Sequence, residues 1–269
     1  MLQTNGSKEE FIKTFMSLCS SKAEWQVWED LITAISCAIS AQIDEHHREE
    51  REQTYLDVVK KYEDPSVLSF LYANIIQAFD NNPEQDYLGT LYQSLNLSSH
   101  YKGQFFSPMS VCRLMATAQL ADAKDQIEEK GFITVHDPAC GAGATLVASA
   151  NELKRMGINY QTNTWFVGWD VDPIVAKMCY IQLSLLGCPG YIGICDTLAN
   201  PITGSDVLLP NEGKDQELWF MPMSASEIWV WRRKARLLDV FFQGPVRKAK
   251  VSSDISLKSL KTGQLAFNV

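Results

Sequence analysis

The chain has 269 residues, 46% hydrophobic and 21% charged, with a formal net charge of −8. That balance predicts a soluble globular protein with a sizeable buried core in one large or two modest domains. It excludes a protein that coats nucleic acid nonspecifically, because affinity for phosphates rests on Lys and Arg displacing counterions. No run approaches the roughly 18 consecutive apolar residues that span a bilayer, and residues 1–10 are too polar for a secretory signal, so a cytoplasmic protein without membrane contact is expected. The seven cysteines, at 19, 37, 112, 140, 179, 188 and 195, include no Cys-x-x-Cys pair; irregular spacing and an odd count predict reduced thiols and no metal site.

The first hundred residues read as helical. Residues 24–40 set Trp25, Trp28, Leu31, Ile32, Ile35, Ala38 and Ile39 at helical spacing, and 54–62, 66–80 and 86–95 repeat the habit in shorter pieces. Asp64-Pro65 and Asn81-Asn82-Pro83 punctuate them. His46 and His47 are neighbours in a mixed-charge run, 44–52, that predicts a solvated helical face. A helical subdomain over 1–98 follows, and 109–119 adds a further helix. From residue 132 the pattern changes to strand 132–136, helix 144–156, strand 164–169, helix 173–186 and strand 191–194. Strand and helix alternating at this pace imply parallel strands with crossover helices, hence an α/β doubly wound, Rossmann-like sheet over 99–243. Short strands are expected at 205–209 and 217–220, and a Trp-rich helix at 226–242. The tail, 244–269, is basic and offers at most a hairpin, 255–260 with 264–269. From residue 230 onward nine Lys or Arg face only Asp239 and Asp254, a surplus that suits nucleic acid or solvent alike.

The chemistry concentrates at the predicted strand ends. In an open parallel sheet ligands sit beyond the carboxyl ends of the strands, where helix N-termini present free N–H groups. Asp137-Pro-Ala-Cys-Gly-Ala-Gly143 occupies that position after the first strand, and Gly141 and Gly143 leave the backbone bare for a ligand. The alternative is a turn whose glycines serve packing alone. A dinucleotide fingerprint would require a third glycine where Leu146 stands, which disfavours a nicotinamide-dependent oxidoreductase. The second strand ends at Asp170, placed to accept hydrogen bonds from vicinal ribose hydroxyls, with Val171 beside it to lie against an adenine. Asp172-Pro173 reads as a helix cap and first helical residue. The third strand ends at Asp196, an acceptor for an adenine amino group.

The order of the turn, these acids and the upstream segment Gly103-Gln-Phe-Phe-Ser-Pro108 resembles the N6-adenine DNA methylases, closely the modification subunit of type I restriction systems, in a branch carried by plasmids or integrative elements. The likeness covers about residues 86–200. It implies an S-adenosylmethionine-dependent methyltransferase fold, with Gln104, Phe106, Ser107 and Pro108 around the methionine end of the cofactor, and Asp137, Ala139, Gly141, Gly143, Asp170, Val171 and Asp196 as further contacts. It also implies DNA as substrate, reached through a partner subunit, and a specificity or restriction subunit as companion.

One part of the family pattern is missing. Amino methylation needs an acceptor to polarise the target amine, a rigid turn to aim it and an aromatic face for the flipped base, which an Asn-Pro-Pro-aromatic sequence supplies together. Here Asn200-Pro201 follows Asp196 too closely, Asn211 is followed by Glu212 and Gly213, and 217–223 presents Met221 where the acceptor belongs. Asn211 is thus a weak catalytic candidate, and no intact catalytic set is read. Two functions stand: an adenine-N6 methyltransferase with degenerate or partner-dependent catalysis, and a non-catalytic module that senses the cofactor or assembles a mobile-element or restriction-modification system.

Overall fold

The structure is a computed structural model that describes residues 6–20, 22–97 and 107–243. Five helices come first: α1 (Lys8–Leu18), α2 (Glu24–Ser40), α3 (Arg48–Val59), α4 (Ser66–Asn81) and α5 (Tyr87–Ser94). Ser7 caps α1 by accepting from the Glu10 amide. Helix α2 buries Val27, Trp28, Leu31, Ile32 and Ile35, and its serines Ser36 and Ser40 are buried as well, so it is enclosed on several sides, as a helix with so broad an apolar face must be. Helix α3 begins at Arg48, before the expected residue 54, because the charged run has no apolar periodicity to announce it. That run is also not the uniformly solvated face expected of it. Arg51 is buried, donating to Ser40 Oγ, to Asp44 Oδ2 at 2.6 Å and to the Leu218 carbonyl at 2.7 Å, and its guanidinium stacks 3.9 Å from the Trp219 ring.

The second half contains α6 (Met109–Gln119), α7 (Ala123–Lys130), β1 (Ile133–Asp137), α8 (Ala144–Arg155), the single turn α9 (Tyr160–Asn163), β2 (Thr164–Asp170), α10 (Pro173–Leu185) and β3 (Gly190–Ile194). Then come β4 (Thr203–Asp206), β5 (Leu209–Asn211), β6 (Glu217–Phe220), a 3-10 turn (Pro222–Ala225) and α11 (Glu227–Gln243). The main sheet has the order β1-β2-β3-β6, parallel except for β6, with Asp137 beside Gly168 and Asp170 beside Ile194. Both parallel crossovers step in the same direction, and the common right-handedness of such crossovers puts α8 and α10 on one face. Helices α2 and α5 pack behind α10, and α6 packs on α8. The other face carries Trp165, Val167, Tyr191 and Leu218, covered by Trp229 of α11 and by Ile202 and Leu208 around the β4–β5 hairpin.

The expected strand over 205–209 is instead a hairpin. Asp206 Oδ1 accepts from the Leu208 amide at 2.9 Å and turns the chain, so that β4 and β5 pair antiparallel in a separate two-stranded sheet. The strand expected at 217–220 is present as β6, at the outer edge of β3, which leaves β1 as the opposite edge strand. One buried cluster holds Phe11, Trp28 and Leu31 together with Leu146, Val147, Cys179, Tyr180 and Trp219, so the core is continuous across residue 98. Among the described residues no helix is long and apolar enough to cross a membrane. The tail 244–269 and its hairpin lie outside the described residues.

Candidate functional site

Strands β1, β2 and β3 run parallel, so their carboxyl ends bring Asp137, Asp170 and Asp196 to one edge of the sheet. The loops that follow are tied to one another. The Gly141 amide donates to Asp170 Oδ2 at 2.8 Å, the Cys140 amide to the Trp169 carbonyl at 2.8 Å, and Thr197 Oγ1 to the Pro138 carbonyl at 2.7 Å. The turn after β1 is stapled internally as well: Asp137 Oδ1 accepts from the Ala139 amide at 3.0 Å and Oδ2 from Thr145 Oγ1. Gly141 and Gly143 have φ of +53° and +97°. A Cβ on Gly143 would also meet Cys179 Sγ at 2.6 Å, so this glycine is required by both conformation and packing. Helix α8 starts directly behind it, with its first amides toward the turn.

Asp170 is half-buried, and each oxygen already takes one backbone N–H, Oδ2 from Gly141 and Oδ1 from Asp172 at 2.9 Å. A carboxylate oxygen offers two lone-pair sites, so a ligand hydroxyl has room at each. Burial pushes the Asp170 pKa above its ordinary value, against the pull of those two amides. Val171 beside it is 69% exposed. Asp172 caps α10 by accepting from Ile174 and Val175, with Pro173 at the first helical position, as its sequence predicts. Asp196 is exposed, and its Oδ1 accepts from Leu198 and Ala199 at 2.9 and 2.8 Å, which folds the loop after β3. Ser107 and Pro108 are exposed at the start of α6 and line a hollow with Asp86 and Thr90. Gln104 and Phe106 lie outside the described residues.

Asn211 is not among the residues gathered here. It ends β5 in the separate two-stranded sheet, exposed, beside a hollow lined by Asp44, His46 and His47. His47 spans the gap between the α2–α3 connection and the loop after β5, with Nδ1 3.0 Å from Asp44 Oδ2 and Nε2 3.5 Å from Glu212 Oε2. Among the described residues no cluster of His, Cys, Asp and Glu is placed to hold a metal ion. The three strand-end segments, 137–143, 168–173 and 194–199, contain no Lys or Arg. A site of bare backbone amides and carboxylates suits a nucleoside bearing hydroxyls and a cationic group better than a phosphate, which would meet the acids without a counter-charge.

Over 95 residues the chain is 30% identical to the type I restriction enzyme MjaIX methylase subunit of Methanocaldococcus jannaschii, covering 35% of this chain and 15% of that protein. Over 90 residues it is 31% identical to DNA methyltransferase A of Bacillus subtilis, covering 33% of this chain and 10% of that protein. The chain thus matches only a small part of these much longer relatives. A solved Listeria monocytogenes protein assigned to the class I S-adenosylmethionine-dependent methyltransferases is 16% identical, with a TM-score of 0.37 over 70% of this chain and 53% of that one. The N-6 DNA methylase family model matches residues 84–218, just over half of the chain, a span that holds the glycine turn, Asp170, Asp196 and the strands between them. The chain belongs to the N-6 DNA methylase family, whose cofactor is S-adenosylmethionine.

Proposed function

We propose that this chain binds S-adenosylmethionine at the ends of β1, β2 and β3 and is an adenine-N6 DNA methyltransferase-like protein whose methyl-transfer step is degenerate or completed by a partner subunit. The observation that carries the reading is the Gly141 to Asp170 hydrogen bond, which fixes a glycine-bearing turn against an acid at the next strand end. In this reading Asp170 accepts from the ribose hydroxyls, Val171 lies against the adenine and Asp196 accepts from its amino group. Asp137 and Ala139 shape the turn, and Gly141 and Gly143 let the ligand approach the backbone. Gln104, Phe106, Ser107 and Pro108 close over the methionine end, as the family likeness implies. The bound cofactor would supply an electrophilic methyl group to the exocyclic nitrogen of an adenine in DNA. The name of the archaeal relative, a methylase subunit of a restriction enzyme, supports a DNA substrate and a specificity or restriction subunit as partner.

A second reading is favoured by the position of Asn211. With this residue in a different sheet and no Asn-Pro-Pro-aromatic sequence in the chain, the protein serves as a non-catalytic module that senses the cofactor or assembles a restriction-modification or mobile-element system. Transfer of tritiated methyl groups to unmethylated DNA by the purified protein, with and without subunits encoded beside it, separates the two. Incorporation that disappears in Asp137→Ala identifies the enzyme. Silence in every combination, with S-adenosylmethionine binding intact by calorimetry, identifies the module; failure to bind that cofactor overturns both.

A further inference from the structure

Gln182 lies in α10, beyond its first two turns, and is fully buried. Both donors and the oxygen of its amide are engaged. Nε2 donates to the Ala142 carbonyl at 2.7 Å and to Asp86 Oδ1 at 2.8 Å, while Oε1 accepts from the Leu88 amide at 3.1 Å. The orientation of the amide is fixed by its neighbours, because a flipped group would set its oxygen against two other acceptors. Asp86 Oδ1 also accepts from the Gly89 amide at 2.9 Å, which caps α5. A Cβ on Gly89 would lie 2.1 Å from Asp86 Oδ2, so glycine here leaves the carboxylate room to hold this position.

Ala142 sits between the two positive-φ glycines of the turn. Such a backbone has wide conformational freedom, so the direction of the Ala142 peptide depends on what holds its carbonyl. The donor that holds it is shared with the N-terminus of α5. We infer that Gln182 is a positioning residue for the cofactor turn and that, through Asp86 and Leu88, the N-terminal helices take part in binding the cofactor. This inference rests on the S-adenosylmethionine reading above. Burial favours the neutral form of Asp86 while the hydrogen bonds from Gln182 and Gly89 favour the charged one, so this carboxyl depends on both partners staying in place.

The test is calorimetric titration of the full chain with S-adenosylmethionine, at a temperature where circular dichroism shows each variant folded. Gln182→Met, which keeps the volume and removes every hydrogen bond, is expected to weaken binding about tenfold; Asp86→Ala should lose more affinity than Asp86→Asn, which keeps the acceptor oxygen. A merely structural role would lower the melting temperature and leave the affinity of the folded protein unmoved, so binding by folded Gln182→Met within twofold of wild type overturns the inference. Should that variant not fold, deuterium exchange on the wild-type chain decides. The cofactor is expected to slow exchange at Leu88 and Gly89 as well as in 139–146, and protection that stops at the strand ends overturns it. Absence of any binding by wild type overturns the cofactor reading itself, and this inference with it.

Discussion

Asp170 accepts from Gly141 and Asp172 in a half-buried place, and burial raises its pKa above the ordinary carboxylate value against the pull of those amides. The folded state therefore holds this proton more tightly than the unfolded chain does. Its contribution to stability is greatest below the ordinary value and declines as pH rises through the interval up to the folded one. In its proposed role as ribose acceptor the same group would act ionised, so cofactor affinity should rise with pH over that interval. We expect S-adenosylmethionine affinity to fall as pH is lowered into the carboxylate range, and Asp170→Asn to weaken binding at neutral pH by about tenfold or more and to flatten this dependence. Titrations across pH with both proteins check it, and an unchanged slope in the variant would remove Asp170 from the site. The position of this acid could be read from the sequence because a strand followed by Asp-x-Asp-Pro fixes where the carboxylates fall. Its double hydrogen bonding could not, since the Gly141 partner comes from another loop. Gln182 left no trace in the sequence for a related reason: a polar residue inside a helix is ordinary until its three partners are known.

At the level of elements, the junction of α2 and α3 with β6 is held by charge rather than by apolar contact alone. Arg51 reaches Ser40, Asp44 and the Leu218 carbonyl and stacks on Trp219, so one side chain joins two helices to the outer strand of the sheet. Burial works to raise the pKa of Asp44, but the hydrogen bonds from His47 and the Arg51 guanidinium outweigh it and hold the carboxyl below its ordinary value. The sign is thus opposite to that of Asp170: the stability Asp44 contributes is present above the ordinary carboxylate value and lost as pH falls through the folded one. Arg51→Met should cost about 1–3 kcal/mol, because Asp44 keeps His47 but loses the guanidinium, and the buried Leu218 carbonyl and Ser40 hydroxyl lose a donor. It should also flatten the acid limb of the stability curve, so that the gap between the two proteins narrows as pH falls through the carboxylate range. Urea melts of both proteins between neutral and acidic pH measure this, and a gap that stays constant with pH would refute the pairing. The helices with apolar periodicity, α2, α4 and α6, were legible in the sequence to within a residue or so. The sequence pattern starts α3 too late and makes 205–209 a single strand, because a buried arginine and an Asp206 turn are decided by tertiary partners that no local pattern displays.

For the molecule as a whole, the sequence marks a change of pattern between the helical first hundred residues and the α/β half, and that change suggests two units. The structure joins them: α10 is the connecting element, packed on α2 and α5 on one side and on β2 and β3 on the other. Its own sequence, apolar nearly all the way round, is what such a position demands, yet the same composition would fit a helix buried within the sheet domain alone. Trp28, Tyr92 and Phe11 sit in one cluster with Phe166, Ile192 and Trp219, and Arg51 crosses the same boundary. Separating the halves would expose apolar surface on both, at roughly 25 cal/mol per Å², and would take Leu218 and Trp219 from Arg51 and Asp86 and Leu88 from Gln182. The two halves should therefore unfold together. Far-ultraviolet circular dichroism reports mainly the helices, and tryptophan fluorescence reports Trp28 on one side of the boundary and Trp165, Trp219 and Trp229 on the other, so a shared core requires coincident transitions. Saturating S-adenosylmethionine should shift both curves upward by the same amount, since a ligand of the folded state stabilises everything that folds with its site. Two resolved transitions, only one of them moved by the cofactor, would show that the helices form a separate unit and that the continuity of the core does not couple them to the site.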